Sequence, residues 1–265
     1  MGDVTIPASP YGAAEPPADR TVDRAAAHTP PALLAVRDRL LIGLAFASGT
    51  FEAICFLSFG KVFTAFQTGN IVFLGVGLAG TRPPFGPDWV RVVISLVAFA
   101  AGAALAARIL ARFDGDQEVE DSEITEAWPR RVSLVLGGVL VVQIAFVVVW
   151  MAASPSSGVS NTLIALNALA MGAQMNAIRS MHVPGSSTTA ATATFISLVT
   201  GLSNWSLKSP VLRRLAGVLV GMALGAFVGD WMLDHASTYA PLVPVAVIAA
   251  VIAVAWLRLR PKPSR

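Results

Sequence analysis

A carboxylate stands where one is costly. Glu52 lies about twelve residues into an apolar stretch, flanked by Phe51, Ala53, Ile54, Cys55 and Phe56. Against lipid an ionised acid there costs several kcal/mol, so it must face protein, take a partner or hold its proton. Two chemistries fit: titration coupled to passage of a proton or cation, and a structural hydrogen bond between helices. Downstream, Gln67, Thr68, Gly69 and Asn70 put amides and a hydroxyl into a second apolar stretch, and Thr188, Thr189, Thr192 and Thr194 do so in a later one. Such groups bind a polar solute or satisfy freed backbone. Gln174 and Asn176 add amides to another apolar segment, where they either bridge helices or bind solute.

The elements that must position these groups follow from composition. The chain of 265 residues is 55% hydrophobic and 13% charged, with mean hydropathy +0.66, far from the roughly 25% charge of a soluble domain. The expected fold is all-α and integral to a membrane. Stretches near the length that crosses a bilayer lie at 40–60, 89–111, 132–152, 161–181, 213–233 and 241–258, with 62–80 and 186–203 ambiguous. Residues 1–36 lack the apolar core of a secretory signal, and their Pro, Ala and charges read as a disordered tail. A membrane domain is expected over 37–258, its halves at 40–152 and 161–258, with an acidic linker at 112–131 and a basic tail at 259–265.

The polar positions recur. At a shift of 124, Glu52-Ala53-Ile54 falls on Asn176-Ala177-Ile178, Thr64 on Thr188 and Thr68-Gly69-Asn70 on Thr192-Ala193-Thr194, and at 123 Arg91 meets Arg214. This predicts a duplicated architecture. If 62–80 and 186–203 dip in and return, six crossings remain and only Lys61, Arg82 and Arg91 among the membrane-proximal basic residues lie outside. That asymmetry is the one short cytoplasmic loops carry. Three crossings per half also invert the second copy. Eight full spans in parallel repeats are the alternative. A re-entrant path needs its backbone satisfied by protein or a cavity, and Gly60-Lys61 and Pro184-Gly185 mark its turns.

Small residues recur every fourth position as Gly217, Gly221, Gly225 and Gly229, and as Ala98, Gly102 and Ala106. They line one helix face and predict close helix packing, within the chain or with a second copy in a homo-oligomer. Gly75-Val76-Gly77-Leu78-Ala79-Gly80 matches a dinucleotide fingerprint by letter but lacks its strand, helix and acid. His28, His182 and His235 are too dispersed for a metal site, and no cofactor is implied. No nucleophile, base and orienter set appears, so an enzyme is not expected. No basic stripe for nucleic acid is present.

Gly49-Thr50-Phe51-Glu52-Ala53, Phe63, Gln67-Thr68-Gly69-Asn70 and Leu74-Gly75 together resemble the YoaK-type family of bacterial multi-pass membrane proteins. Glu52 stands where that family more often has Asp, and Gln174-Met175-Asn176-Ala177, Arg179 and Thr188-Thr189 continue the likeness over about 40–233. The resemblance implies the membrane class and the choice of polar positions, and no substrate. The expected role is passage of a small solute or ion through a cell-membrane protein with both termini cytoplasmic. Glu52 would be the titratable or cation-attracting group; Gln67, Thr68, Asn70, Thr188, Thr189, Thr192 and Thr194 would line the path, with Gln174 and Asn176 as amide donors. The alternative is a scaffold or sensor whose polar residues only lock helices.

Overall fold

The computed structural model describes residues 30–81, 86–114, 127–181, 183, 191–203 and 210–259. Its regular structure there is helical: α1 (Pro31–Ser58), α2 (Gln67–Leu78), α3 (Trp89–Asp114), α4 (Arg130–Ala152), α5 (Ser157–Arg179), α6 (Ala191–Ser203), α7 (Pro210–Ala236), a 3-10 turn at Ser237–Tyr239, and α8 (Leu242–Arg258). The chain is an all-α membrane protein. α1, α3, α4 and α7 are long and apolar enough to cross a bilayer. α5 has 23 residues but carries Asn167 and Gln174, both buried in protein. With 12 residues, α2 extends about 18 Å, short of a core of about 30 Å.

α1 begins at Pro31, so the segment expected as a tail over 1–36 gives its last six residues to a helix. Proline suits the first helical turn, where its missing N–H is not needed. The linker expected at 112–131 is likewise shortened at both ends by α3 and α4.

The helices obey a two-fold exchange. α1 packs most extensively on α7, and α3 on α5; α2 packs on α3, and α6 on α7; α4 packs on α5, and α8 on α1; α4 and α8 touch each other. Exchanging α1 with α5, α2 with α6, α3 with α7 and α4 with α8 maps the first six of these contacts onto one another in pairs and the α4–α8 contact onto itself. The first half therefore packs through the second.

Glycines set the two main interfaces. A methyl group at Gly49 would overlap the carbonyl of Met222, and one at Gly172 the carbonyl of Phe99. Gly225 meets the carbonyl of Phe46 in the same way, as Gly102 meets that of Leu169. Without side chains the backbones touch, and dispersion holds helices where lipid removes the hydrophobic drive. The stripe Gly217, Gly221, Gly225 and Gly229 lies against Ile42, Phe46 and Thr50 of α1. In α3, Gly102 and Ala106 are buried and Ala98 is half-buried. Both stripes thus face the other half of the same chain.

Helix directions follow from paired positions. Cys55 lies opposite Asn167 and Ser48 opposite Gln174, so positions rise along α1 as they fall along α5: the two are antiparallel. α1 runs parallel to α7, since Ile42, Phe46 and Thr50 meet Gly217, Gly225 and Gly229 in order. α3 runs parallel to α5, with Phe99 against Gly172 and Ala103 bonded to Asn176. The halves are therefore inverted, and α1 is antiparallel to α3. A chain leaving α1 and entering α3 has to start and finish at one end of the bundle, and Arg91 Nη1 bonds Phe59 O there at 3.1 Å.

Candidate functional site

Between α1 and α3 the chain turns back at Gly60 and Lys61, both in the left-handed region at φ 80° and 63°. Residues 62–66 then run non-helically into the bundle as far as Glu52, six residues and about 9 Å below the end of α1. α2 returns outward, antiparallel to α3, with Asn70 beside Ser95 and Gly77 against Trp89. This segment is re-entrant. Its backbone has no ladder to join, and each exposed group costs several kcal/mol in a dry interior.

Side chains take over that role. Glu52 Oε1 accepts the Thr64 N–H at 2.9 Å, and Oε2 accepts the Ala65 N–H at 2.9 Å and the Thr64 hydroxyl at 3.0 Å. All three groups are donors, which suits an ionised carboxylate. Asn70 acts as a peptide surrogate for Phe63. Its Oδ1 accepts the Phe63 N–H at 3.1 Å, and its Nδ2 donates to the Phe63 carbonyl at 2.6 Å. Ser95 Oγ donates to the same carbonyl at 2.6 Å, and Gln67 Nε2 to Thr64 O at 2.9 Å.

Gly69 completes the turn, because a Cβ there would come within 2.9 Å of the Phe63 ring. That ring stacks on Phe56 at 4.7 Å and Phe73 at 5.7 Å, and meets Phe66 edge-on at 5.7 Å.

The tip is tied to the second half by a directional chain. Asn167 Nδ2 donates to Thr64 Oγ1 at 2.8 Å and approaches Cys55 Sγ at 3.1 Å. Gln143 Nε2 on α4 donates to Asn167 Oδ1 at 2.7 Å. Donors thus point from Gln143 through Asn167 and Thr64 to Glu52. Two turns along α5, Gln174 Nε2 donates to Ser48 Oγ at 2.9 Å. Gln143 Oε1 and Gln174 Oε1 are buried and accept no bond among the described residues.

The structure brings together Glu52, Gln67 and Asn70 from the residues expected at the site, with Gln174 on the same α1–α5 crossing. Thr68 is exposed, outside the cluster. Asn176, aligned with Glu52 in the sequence echo, donates to Ala103 O at 2.8 Å and serves the α3–α5 interface. The glycine contacts pair Gly49 with Gly172, a register one residue different, which sets Met175 opposite Glu52. Thr194 is buried on α6. Thr188 and Thr189 lie outside the described residues, as does the side chain of Thr192.

Sequence reasoning missed Asn167, Gln143, Ser48 and Ser95, and used Thr64 only as a repeat marker. The signal for Asn167 was its spacing of seven from Gln174, which sets both on one helix face. Ser95 and Gln143 are single polar residues in apolar helices and carry no such pattern. Arg179 is exposed, and Arg91 bonds Phe59 O and Asp88, so neither is bonded to Glu52.

The chain is 27% identical over 239 residues to the UPF0700 transmembrane protein YoaK of Bacillus subtilis (strain 168), an alignment covering 85% of this chain and 96% of the relative. No solved structure matches it. The family model described as "Protein of unknown function (DUF1275)" matches residues 40–255, nearly all of the helical bundle, and the chain therefore belongs to the DUF1275 family.

Proposed function

We propose that this protein is a transporter that passes a small solute across the cell membrane, coupled to a proton or cation through Glu52. The observation that carries this reading is the position of the acid. Glu52 is buried where inverted halves cross, and its three bonding partners all belong to a re-entrant tip. Inverted repeats with re-entrant segments near the midplane are a recurrent transporter plan. The Thr64–Ala65 part of the tip is held by this carboxylate and loosens when it changes charge, since a neutral acid accepts donors more weakly.

The free amide oxygens of Gln143 and Gln174 support a polar visitor, because a buried acceptor left unbonded costs about 1–3 kcal/mol. Six crossings fit the antiparallel order of α1 and α3. They gather Arg37, Arg39, Arg108, Arg112, Arg130, Arg131, Arg179, Arg213, Arg214 and Arg258 at one end, which this reading assigns to the cytoplasm along with both termini. In this reading the protein performs no enzymatic step, and its partners are the lipid bilayer, the solute or ion and, in a homo-oligomer, a second copy of the chain.

A scaffold without transport is the second reading. It is favoured by the fact that Glu52 and Asn70 bond protein backbone. Purified protein in liposomes, tested for solute-evoked currents with a panel of amino acids, organic acids, amines and inorganic cations, separates the two. A saturable current that Glu52→Gln abolishes in folded protein supports coupled transport. Silence across the panel in well-folded wild type supports the scaffold.

A further inference from the structure

We propose that the ion exchanged at Glu52 is a proton and not a metal cation, and that its arrival reverses the hydrogen-bond chain running from Gln143 through Asn167 and Thr64 to the acid. The proposal rests on the transport reading for its purpose and names the coupling ion that this reading leaves open.

The donors around the acid select the ion. A carboxylate offers about four lone-pair directions, and the Thr64 N–H, the Ala65 N–H and the Thr64 hydroxyl take three of them. Hard metal cations are held by several oxygens at once, whereas here a cation would meet N–H hydrogens turned toward it. A proton needs one lone pair and one acceptor beyond it. The two backbone N–H groups cannot turn round, but a hydroxyl both donates and accepts. The proton therefore settles on Oε2, facing Thr64 Oγ1 at 3.0 Å.

The groups behind Thr64 are reversible in the same way. With Glu52 ionised, Gln143 Nε2 donates to Asn167 Oδ1 at 2.7 Å, and Asn167 Nδ2 donates to Thr64 Oγ1 at 2.8 Å and lies 3.1 Å from Cys55 Sγ. Hydroxyl, thiol and both amides can each donate and accept. Once Oε2 is protonated, its O–H donates to Thr64 Oγ1 and the Thr64 hydroxyl turns to Asn167. Asn167 rotates its amide, presenting Oδ1 to Thr64 and Cys55 and Nδ2 to Gln143, which answers with Oε1. That oxygen is buried and accepts no bond among the described residues. Turning Gln143 thus breaks its bond to Asn167 alone, and the reversed chain remakes that bond.

One O–H bond forms, at Oε2, from a solvent proton; every other hydrogen stays on its own atom. The charge of the acid is thereby carried through α5 to α4. Among the titratable groups on the elements around Glu52, Cys55 belongs to the chain itself and Arg91 is held by Phe59 O and Asp88, while Lys61, Arg179, Asp230 and Arg258 are exposed. The acid is therefore the group whose titration turns the chain.

Infrared difference spectra of the full chain in maltoside detergent, recorded against pH, test the idea. Acidification should raise a carboxylic acid C=O band that is lost in Glu52→Gln and moved in Glu52→Asp, and amide C=O bands should change with the same midpoint. Sodium, potassium or calcium chloride added at fixed pH should leave these bands in place. Gln143→Met keeps the side-chain length and removes the amide, so one amide component should vanish while the acid band stays. Should these variants not fold, wild type with isotope-labelled asparagine side-chain carbonyls gives the readout, as an isotope shift of the amide bands that move with pH.

No Glu52 acid band over the pH range in which wild type stays folded overturns the choice of the proton, as does a band removed by a metal cation at fixed pH. Amide bands that ignore the acid band, or that survive Gln143→Met unchanged, overturn the reversal. The spectra are read without flux. Their failure leaves metal-coupled or uncoupled transport standing, whereas proton uptake without any current overturns transport alone.

Discussion

Thr64 gives Glu52 both of its donors, the backbone N–H at 2.9 Å to one carboxylate oxygen and the hydroxyl at 3.0 Å to the other. The same hydroxyl accepts from Asn167 at 2.8 Å. One threonine therefore links the acid of the first half to the amide of the second. Thr64→Val keeps the shape, removes a charge-assisted bond and strands an Asn167 hydrogen. A loss of about 2–4 kcal/mol is expected, read by chemical unfolding in detergent. Thr64→Ser should recover most of it. Equal stability of the valine variant would sever the proposed link.

Asn167 and Thr64 should be energetically coupled. Asn167→Ala breaks bonds to Thr64, Cys55 and Gln143 together. In a double-mutant cycle with Thr64→Val, the second change should cost less than in wild type, with a coupling of about 1 kcal/mol or more. Simple additivity would mean that the two side chains act separately.

Gly49 and Gly172 sit at equivalent points of the two inverted interfaces, each against a carbonyl of the facing helix. Gly49→Ala and Gly172→Ala should each destabilise by about 1–3 kcal/mol, the usual range for overpacking. Gly75 and Gly138 have open space around the Cβ position, so alanine there should be neutral, or stabilising by up to about 1 kcal/mol through helix propensity. Thermal unfolding of the four variants compares close backbone contact with propensity directly.

At the opposite end of α1, Arg214 is 5% exposed and lies 3.4 Å from Asp38. Asp38 also pairs with Arg37 at 3.0 Å, so its removal takes one carboxylate from two arginines, one of them buried. Asp38→Ala should cost about 3 kcal/mol, more than Asp88→Ala, which breaks the more exposed pair with Arg91. Urea unfolding at fixed pH and salt measures the difference.

Sidedness is testable with thiol reagents in a Cys55→Ser background. Thr81, Ser156 and Arg112 are exposed. Single cysteines at Thr81 and Ser156 should label from the same face and one at Arg112 from the other. Labelling of Thr81 with Arg112 would mean that α2 crosses the membrane, contrary to the antiparallel order of α1 and α3.

The sequence alone determined what composition and local period can encode. The membrane class follows from apolar length, the small-residue stripes from a spacing of four, and the duplication from repeated polar positions. It also singled out Glu52, because an acid amid phenylalanine and isoleucine is costly in any fold. It left the acid's partner open, since Thr64 lies twelve residues beyond it along a non-helical path that no helical spacing describes.

Tertiary structure decided the pairings. Asn167 reaches Thr64, 103 positions away, only because α5 crosses α1 antiparallel, and Gln143 reaches Asn167 because α4 packs on α5. It placed Thr68 on the surface and Asn176 at a helix interface, the latter because a letter-by-letter register cannot resolve a one-residue shift, and one residue turns a helix by about 100°. A buried polar group takes its role from the neighbour that satisfies it, and that neighbour is supplied by the packing of distant helices.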